Sequence, residues 1–235
     1  MSNADQLPYG WSAVPVSLKA FLSTTSAKST APFAASSAPE PTSELSTTIR
    51  SFAQKELPEQ VFNHSLRVYT YGIALVTQHL SHLLTPTFAE TLYLTCLLHD
   101  LGCTPKNLRA TKMSFEWWGA LEGLRELRDV GAEKDQAEGV FEAIVRHQDL
   151  GETGNITALG AVLQVVTIFD NVGHFAELFA KETIESVTSA HPRKGWSGCF
   201  SETIKQEIGS KPWCHSTHIE NFAEDVAGNK LMQPY

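Results

Sequence analysis

From Leu45 onward the apolar residues recur at steps of three and four, and no stretch alternates with period two for long enough to predict a strand or a hairpin. That period confines the chain to an all-α architecture. Leu45, Ile49, Phe52 and Ala53 make one stripe. Pro58 fits the first turn of a second helix, whose stripe runs Val61, His64, Val68, Tyr71 and Leu75. A third helix is expected from Thr85 as cap and Pro86 in the first turn, through TFAETLYLTCLLH, to a stop at Gly102. The stretch MSFEWWGALEGLRELRDVG reads as a fourth, ending near Gly131. Asp135 and Glu138 have the spacing of a capping box that opens a fifth. A sixth, from about Thr157, aligns Leu159, Leu163, Val166 and Asp170. Shorter helices are expected around Glu182 to Ser189 and Cys199 to Ile208, and no internal repeat marks a solenoid.

The 235 residues suffice for one sizeable domain with a tail, and residues 47–235 carry the helical pattern. Between Ser23 and Ser46 the chain is Ser, Thr, Ala and Pro with few large apolar side chains, the composition of a linker or a surface-draped arm. Residues 1–22 form a separate segment, in which Trp11 and Val14 are placed to dock on the domain. A net charge of −8 argues against nucleic acid or an anionic membrane as partner and favours a small neutral or cationic ligand. The sequence has no run of 18 apolar residues and no secretory pattern at its start, so a soluble, cytoplasmic protein is expected, with homo-oligomers left open. Cys96, Cys103, Cys199 and Cys214 lack CxxC spacing, so reduced thiols are expected rather than disulfides or a cysteine-built zinc site.

The constraint that bears on function is where ionisable residues fall within the apolar stripes. His64 occupies a core position, His99 and Asp100 follow the apolar run CLL directly, His147 shares a face with Val140 and Ile144, and Asp170 ends the sixth stripe. Each burial costs several kcal/mol unless a partner stands opposite. A single histidine of this kind is usually a satisfied core residue. For the set, one divalent cation answers all the burials together, with nitrogen and carboxylate oxygen donors suited to zinc and, less well, to iron or manganese.

Other polar residues carry weaker signals. His79 and His82 are expected at the frayed, solvent-facing end of the second helix, and His174 and His191 at the surface or in turns. His215 and His218 lie in KPWCHSTHIENF, where packing is the simpler role. Lys106, Arg109 and Lys112 could hold a phosphate or equally line an exposed loop. Phe115 with Trp117 or Trp118 could lid a pocket, although aromatics at helical spacing are more often core. Thr111, Lys112 and Glu116 follow the His-Asp pair closely and stand as candidate substrate-binding residues.

A histidine, an adjacent His-Asp pair and a distant aspartate, all on helices, resemble the signature of the HD-domain superfamily of metal-dependent enzymes. The longer stretches NHSLRVY, LTCLLHDLG, RATKMSFEWWG, EAIVRHQDL, TIFDNVG, PRKGW and KPWCHSTHI, with GWSAVPVS near the start, are similar to the fungal cyanamide hydratases. The resemblance implies an HD-type helical bundle with a zinc site between its helices. It implies that His64, His99, Asp100 and Asp170 bind the zinc, that His147 lines the substrate pocket, and that a small neutral nitrile, cyanamide, is hydrated to urea. Asp100 and His147 are then the two candidates for proton transfer. The competing readings are an HD-type phosphohydrolase acting on nucleotides, a hydratase for another small nitrile or isonitrile, and a module that keeps metal for stability alone.

Overall fold

A computed structural model describes residues 7–23 and 30–235. The chain runs β1 (Ala13–Pro15), α1 (Leu18–Ser23), α2 (Glu44–Glu56), α3 (Glu59–His79), α4 (Pro86–Leu98), α5 (Pro105–Ala110), α6 (Phe115–Asp129), α7 (Lys134–Val145), β2 (Asn155–Thr157), α8 (Ala158–Val172), α9 (Lys181–Ala190), α10 (Trp196–Ser210) and α11 (Phe222–Ala227). Short 3₁₀ turns join several of these, and one of them, Leu101–Cys103, follows α4 directly.

The local chemistry explains the boundaries. Ser43, Thr85, Thr104 and Thr157 each accept a hydrogen bond from the backbone N–H three residues on, and so satisfy an otherwise orphaned donor at the starts of α2, α4, α5 and α8. Each such cap is worth about 1 kcal/mol. α8 stops where Gly173 turns left-handed at φ 80°. The capping box expected at Asp135 does not form: α7 begins at Lys134, and Glu138 instead pairs with Arg128 at 3.2 Å.

α3 is the central pillar, and apart from His64 and Arg67 its buried side chains are mostly apolar or hydroxyl-bearing. It packs on α4 and on α8, and Gly72 lets α4 come close, because a Cβ there would lie 2.9 Å from Leu92. α8 is buried along almost its whole length, its polar Gln164, Thr167, Asp170 and Asn171 included. The His-Asp turn after α4 rests on the start of α6 at still shorter range. A Cβ on Gly102 would stand 1.9 Å from the Phe115 carbonyl oxygen, so only glycine permits this contact.

The all-helical expectation holds, with one addition. β1 and β2 form a three-residue antiparallel pair, Ala13 opposite Thr157 and Pro15 opposite Asn155, too short and too Pro-bearing for a period-two pattern to show in the sequence. This pair ties the N-terminal segment to the start of α8. Trp11 donates its indole N–H to the Asp135 carbonyl at 2.9 Å, and Phe21 is buried. From Ala31 to Glu40 the Ser/Ala/Pro-rich stretch lies across α3 and α9, with Phe33 N–H on Thr183 Oγ1 and Tyr69 O–H on the Pro39 carbonyl. The rest of that stretch, residues 24–29, and residues 1–6 fall outside the described residues.

Candidate metal centre

Four elements deliver the ionisable residues to one place. α3 carries His64, the end of α4 carries His99 and Asp100, the turn after α7 carries His147, and α8 carries Asp170. All five are buried. α7 ends at Val145, so His147 sits in the following turn; Gln164 of α8 holds that turn by donating to the carbonyls of Arg146 and Asp149.

His64 Nε2, His99 Nε2 and Asp100 Oδ2 form a near-equilateral triangle with sides of 3.2, 3.3 and 3.5 Å. The other ring nitrogens are already committed. His64 Nδ1 lies 2.6 Å from Asp170 Oδ2 and His99 Nδ1 lies 2.8 Å from the Cys96 carbonyl, which makes each Nδ1 the donor and leaves the lone pair on Nε2. Two lone pairs thus face each other beside a carboxylate oxygen that is buried and has no hydrogen-bond partner. Such a position calls for positive charge. Donor atoms 3.2–3.5 Å apart have the spacing of ligands that would hold one zinc-sized cation, whose bonds to nitrogen and carboxylate oxygen are roughly 2.0–2.2 Å. The donor set fits a divalent cation.

The ionisation states of His64 and Asp100 agree with that fit. Burial would lower the pKa of His99, but Asp100 beside it outweighs burial and raises it, and an ion at the triangle would take the place of the proton so held. Burial pushes His64 down to about 4, against the opposing pull of Asp170, so its imidazole is neutral at pH 7. Burial alone would raise the Asp100 carboxyl, but the imidazoles of His99 and His64 outweigh it and hold the group below the usual carboxylate range. Burial, helped by His99, lowers His147.

Asp170, expected among the ligands, is engaged on the far side of His64. Its Oδ1 accepts from Arg67 Nε at 3.0 Å and Arg193 Nη1 at 2.7 Å, and its Oδ2 accepts from His64 and from Arg67 Nη2 at 2.9 Å. Burial would raise this carboxyl, yet the two guanidinium groups hold it well below the ordinary value. Trp196 stacks on the His64 ring at 4.2 Å and anchors its own N–H on Asn171 Oδ1. Arg67, Arg193 and Trp196 were not singled out by the sequence reading. Arg67 follows His64 by one helical step of three, a spacing that was visible, whereas Arg193 and Trp196 arrive from a distant turn.

His147 stands edge-on to His99, with ring centres 5.4 Å apart, and its Nδ1 is committed to the Ile144 carbonyl at 2.7 Å. It lines a cavity of about 310 Å³ together with Gln148, Thr167 and Asn171. Thr111 and Lys112, candidates for the pocket, are not part of these walls. Thr111 Oγ1 accepts from Met113 N–H, and the Lys112 carbonyl accepts from the Trp213 indole, because the chain between α5 and α6 turns outward to meet the C-terminal region. Glu116 is buried but off this cavity; its Oε1 lies 2.9 Å from His215 Nδ1, and its Oε2 has no partner. Phe115 packs on His147 and Phe200, while Trp117 is 50% exposed. His79, expected at the surface, is buried with Nε2 3.2 Å from the Leu178 carbonyl, since the turn after α8 folds back over the end of α3. Lys106 is 78% exposed and paired with Glu56. Of KPWCH, Lys211 and Cys214 are buried, with the Lys211 ammonium on the Met113 carbonyl.

Comparison with known proteins agrees with this geometry. The HD domain family matches residues 61–174, a span that contains all five ionisable residues. Two curated proteins of Saccharomyces cerevisiae, cyanamide hydratase DDI2 and cyanamide hydratase DDI3, are each 42% identical over 197 residues, covering 81% of this chain and 85% of theirs. This chain therefore belongs to the cyanamide hydratase family of HD-domain proteins.

Proposed function

We propose that this protein is a zinc-dependent hydratase that converts cyanamide to urea. The observation that carries the reading is the buried, unpartnered Oδ2 of Asp100 within 3.5 Å of two histidine Nε2 atoms, in a chain 42% identical to two proteins named cyanamide hydratase. His64, His99 and Asp100 would hold the ion, with Asp170 and the Cys96 carbonyl fixing the tautomers of the two imidazoles. When bound, a divalent cation there lowers the pKa of water toward about 7 and polarises a nitrile, the two things that addition to a slow electrophile needs.

The chain's own groups account for the protons. Water oxygen adds to the nitrile carbon, one proton passes to the nitrile nitrogen, and the isourea so formed tautomerises to urea. His147 is suited to carry that proton: its Nδ1–H is spent on Ile144, its remaining nitrogen bears the lone pair, and its lowered pKa keeps it neutral near pH 7. Asp100 is the second carrier, through its Oδ1, which faces Cys103 Sγ at 3.4 Å. Two neutral imidazoles and one carboxylate put no net repulsion on a neutral substrate and offer no anion-binding fork. That disfavours the phosphohydrolase reading, since Arg67 and Arg193 are occupied by Asp170, and Lys106, Arg109 and Lys112 are exposed and line no wall of the cavity beside His147. Among the described residues no helix is long and apolar enough to cross a membrane.

The test is urea formation from cyanamide by the purified protein, with and without a chelator, beside elemental analysis and a nucleotide panel scored for phosphate. Urea that disappears on chelation and returns with zinc supports the reading. Phosphate release without urea would replace it with the phosphohydrolase.

A further inference from the structure

One face of α10 runs along the centre. Trp196, Phe200, Ile204 and Glu207 follow one another at steps of four, four and three, and all four are buried. Trp196 stacks on His64, and Phe200 stacks on Trp196 at 4.9 Å and meets the Phe115 ring edge-on. Glu207 closes the stripe with a carboxylate, where a fourth apolar side chain would fill the same place without the cost of burying a charge. It repeats the signal that marks Asp170, an ionisable residue at the end of an apolar stripe, yet it takes no part in the proton transfers.

The carboxylate is fully engaged. Its Oε1 accepts the Phe115 N–H at 2.6 Å, its Oε2 accepts the Ser216 hydroxyl at 2.8 Å, and Lys211 Nζ lies 3.6 Å from Oε1. Phe115, Ser216 and Lys211 are buried as well. Phe115 opens α6, and Ser114, in the capping position, makes no side-chain bond to that helix, while its hydroxyl accepts from the His215 N–H. Glu207, 92 positions further along the chain, therefore takes the first amide of α6, where negative charge also suits the helix dipole.

Phe115 is the residue through which this bond reaches the reacting groups. Its carbonyl presses on Gly102, so closely that a Cβ there would stand 1.9 Å from the oxygen, and its ring packs on His147 with centres 5.6 Å apart. The N–H, carbonyl and ring of one residue thus join Glu207, the His-Asp turn and His147. Ser216 is a second strut, its Oγ also 3.3 Å from Oε1 of Gln148, the neighbour of His147. Displacing the carboxylate moves both sides of the site, and a misplacement of about 1 Å can cost about 100-fold in rate.

We propose that Glu207 is a positioning residue of the hydration: by fixing Phe115 it sets where the His99–Asp100 turn stands relative to His147. The inference rests on the hydratase reading and adds a residue to it. A plain helix cap would make the same bond and affect stability alone, and the two roles separate by experiment.

Glu207→Leu withdraws both acceptors. Glu207→Gln keeps the size of the side chain and an oxygen for the Phe115 N–H, and Ser216→Ala leaves that bond in place. For each variant of the full chain, kcat and KM for cyanamide are measured per bound zinc, beside the visible spectrum of the cobalt(II)-loaded protein, which reports ligand geometry without turnover. Glu207→Leu should lower kcat about 10- to 100-fold with KM little changed and should shift the cobalt bands. Glu207→Gln should recover part of both, and Ser216→Ala should show a smaller fall in kcat; these two carry the test if the leucine variant does not fold. A fall in kcat with unshifted bands also supports the proposal and places the effect on the His147 side. Variants with the parent's kcat and the parent's spectrum, whatever their melting temperatures, overturn it. If the parent forms no urea the hydratase reading falls, and the cobalt spectra still decide whether Glu207 sets the geometry of the His-Asp turn.

Discussion

Asp170 Oδ2 lies 2.6 Å from His64 Nδ1, and the same carboxylate is clasped by Arg67 and Arg193, so one imidazole of the centre is oriented by a fully buried, doubly neutralised aspartate. Three chain segments are locked by this one residue: α3, α8 and the turn before α10. The arrangement links the chemistry of the site to the stability of the bundle, and the two can be separated by substitution.

Asp170→Asn keeps the size of the side chain and removes its charge. The two guanidinium groups are then left buried without a full counter-charge, a situation that costs about 3–5 kcal/mol. For a domain of this size the melting temperature should fall by roughly 10 °C. Because His64 Nδ1–H then faces a neutral amide in place of a carboxylate, cation affinity should weaken about 10- to 100-fold, read by competition with a chromophoric chelator.

His147→Ala separates binding from turnover. Its ring makes no part of the 3.2–3.5 Å triangle, so elemental analysis should show the same metal content as the parent protein. Urea formation should drop by about 10²- to 10⁴-fold, the range for loss of a general acid or base. Unchanged turnover would remove His147 from the reaction.

His215 gives a pH signature away from the centre. The hydrogen bond to Glu116 at 2.9 Å raises its pKa above 6.5, more than its partial burial lowers it. A group whose folded pKa is raised contributes stability that is complete below 6.5 and is lost as pH climbs through the folded value. Melting temperature should therefore decline as pH rises above 6.5. His215→Gln should flatten that part of the profile, as followed by calorimetry.

Gly102→Ala tests the seat of the His-Asp turn. The added methyl would stand 1.9 Å from the Phe115 carbonyl, a backbone atom that cannot swing away, so α6 must shift. A loss of about 3 kcal/mol or more is expected in denaturant unfolding, with metal content reduced in proportion to the displaced His99 and Asp100. Gly209→Ala, near the end of α10 with nothing within 4 Å, should cost nothing and so serves as the control.

Helix periodicity made the bundle legible, because each long helix buries one stripe and the stripe is written in residue spacing; the starts at Thr85 and Thr157 were legible for the same local reason, a hydroxyl within reach of the next turn's N–H. His64, His99 and Asp100 stood out as ionisable residues where only apolar ones belong. The β1–β2 pair and α5 did not stand out, since three and six residues are too few for a period to register. Thr111 and Lys112 were named for nearness in sequence to His99, and sequence distance says little about which way a connecting segment turns.

What the amino-acid sequence determined alone is the inventory: which helices form, which of their faces are apolar, and which ionisable groups those faces must bury. Tertiary structure decided the assignments among them. It brought His64, His99 and Asp100 to within 3.5 Å of one another, and turned Asp170 to the back of His64 by setting Arg67 and Arg193 against it. It also opened a cavity beside His147, lined from Leu18 at one end of the chain to Phe222 and Asp225 at the other. The reason is physical: a stripe specifies that a side chain points inward, whereas its partner depends on the relative rotation and offset of packed helices, which no local pattern encodes.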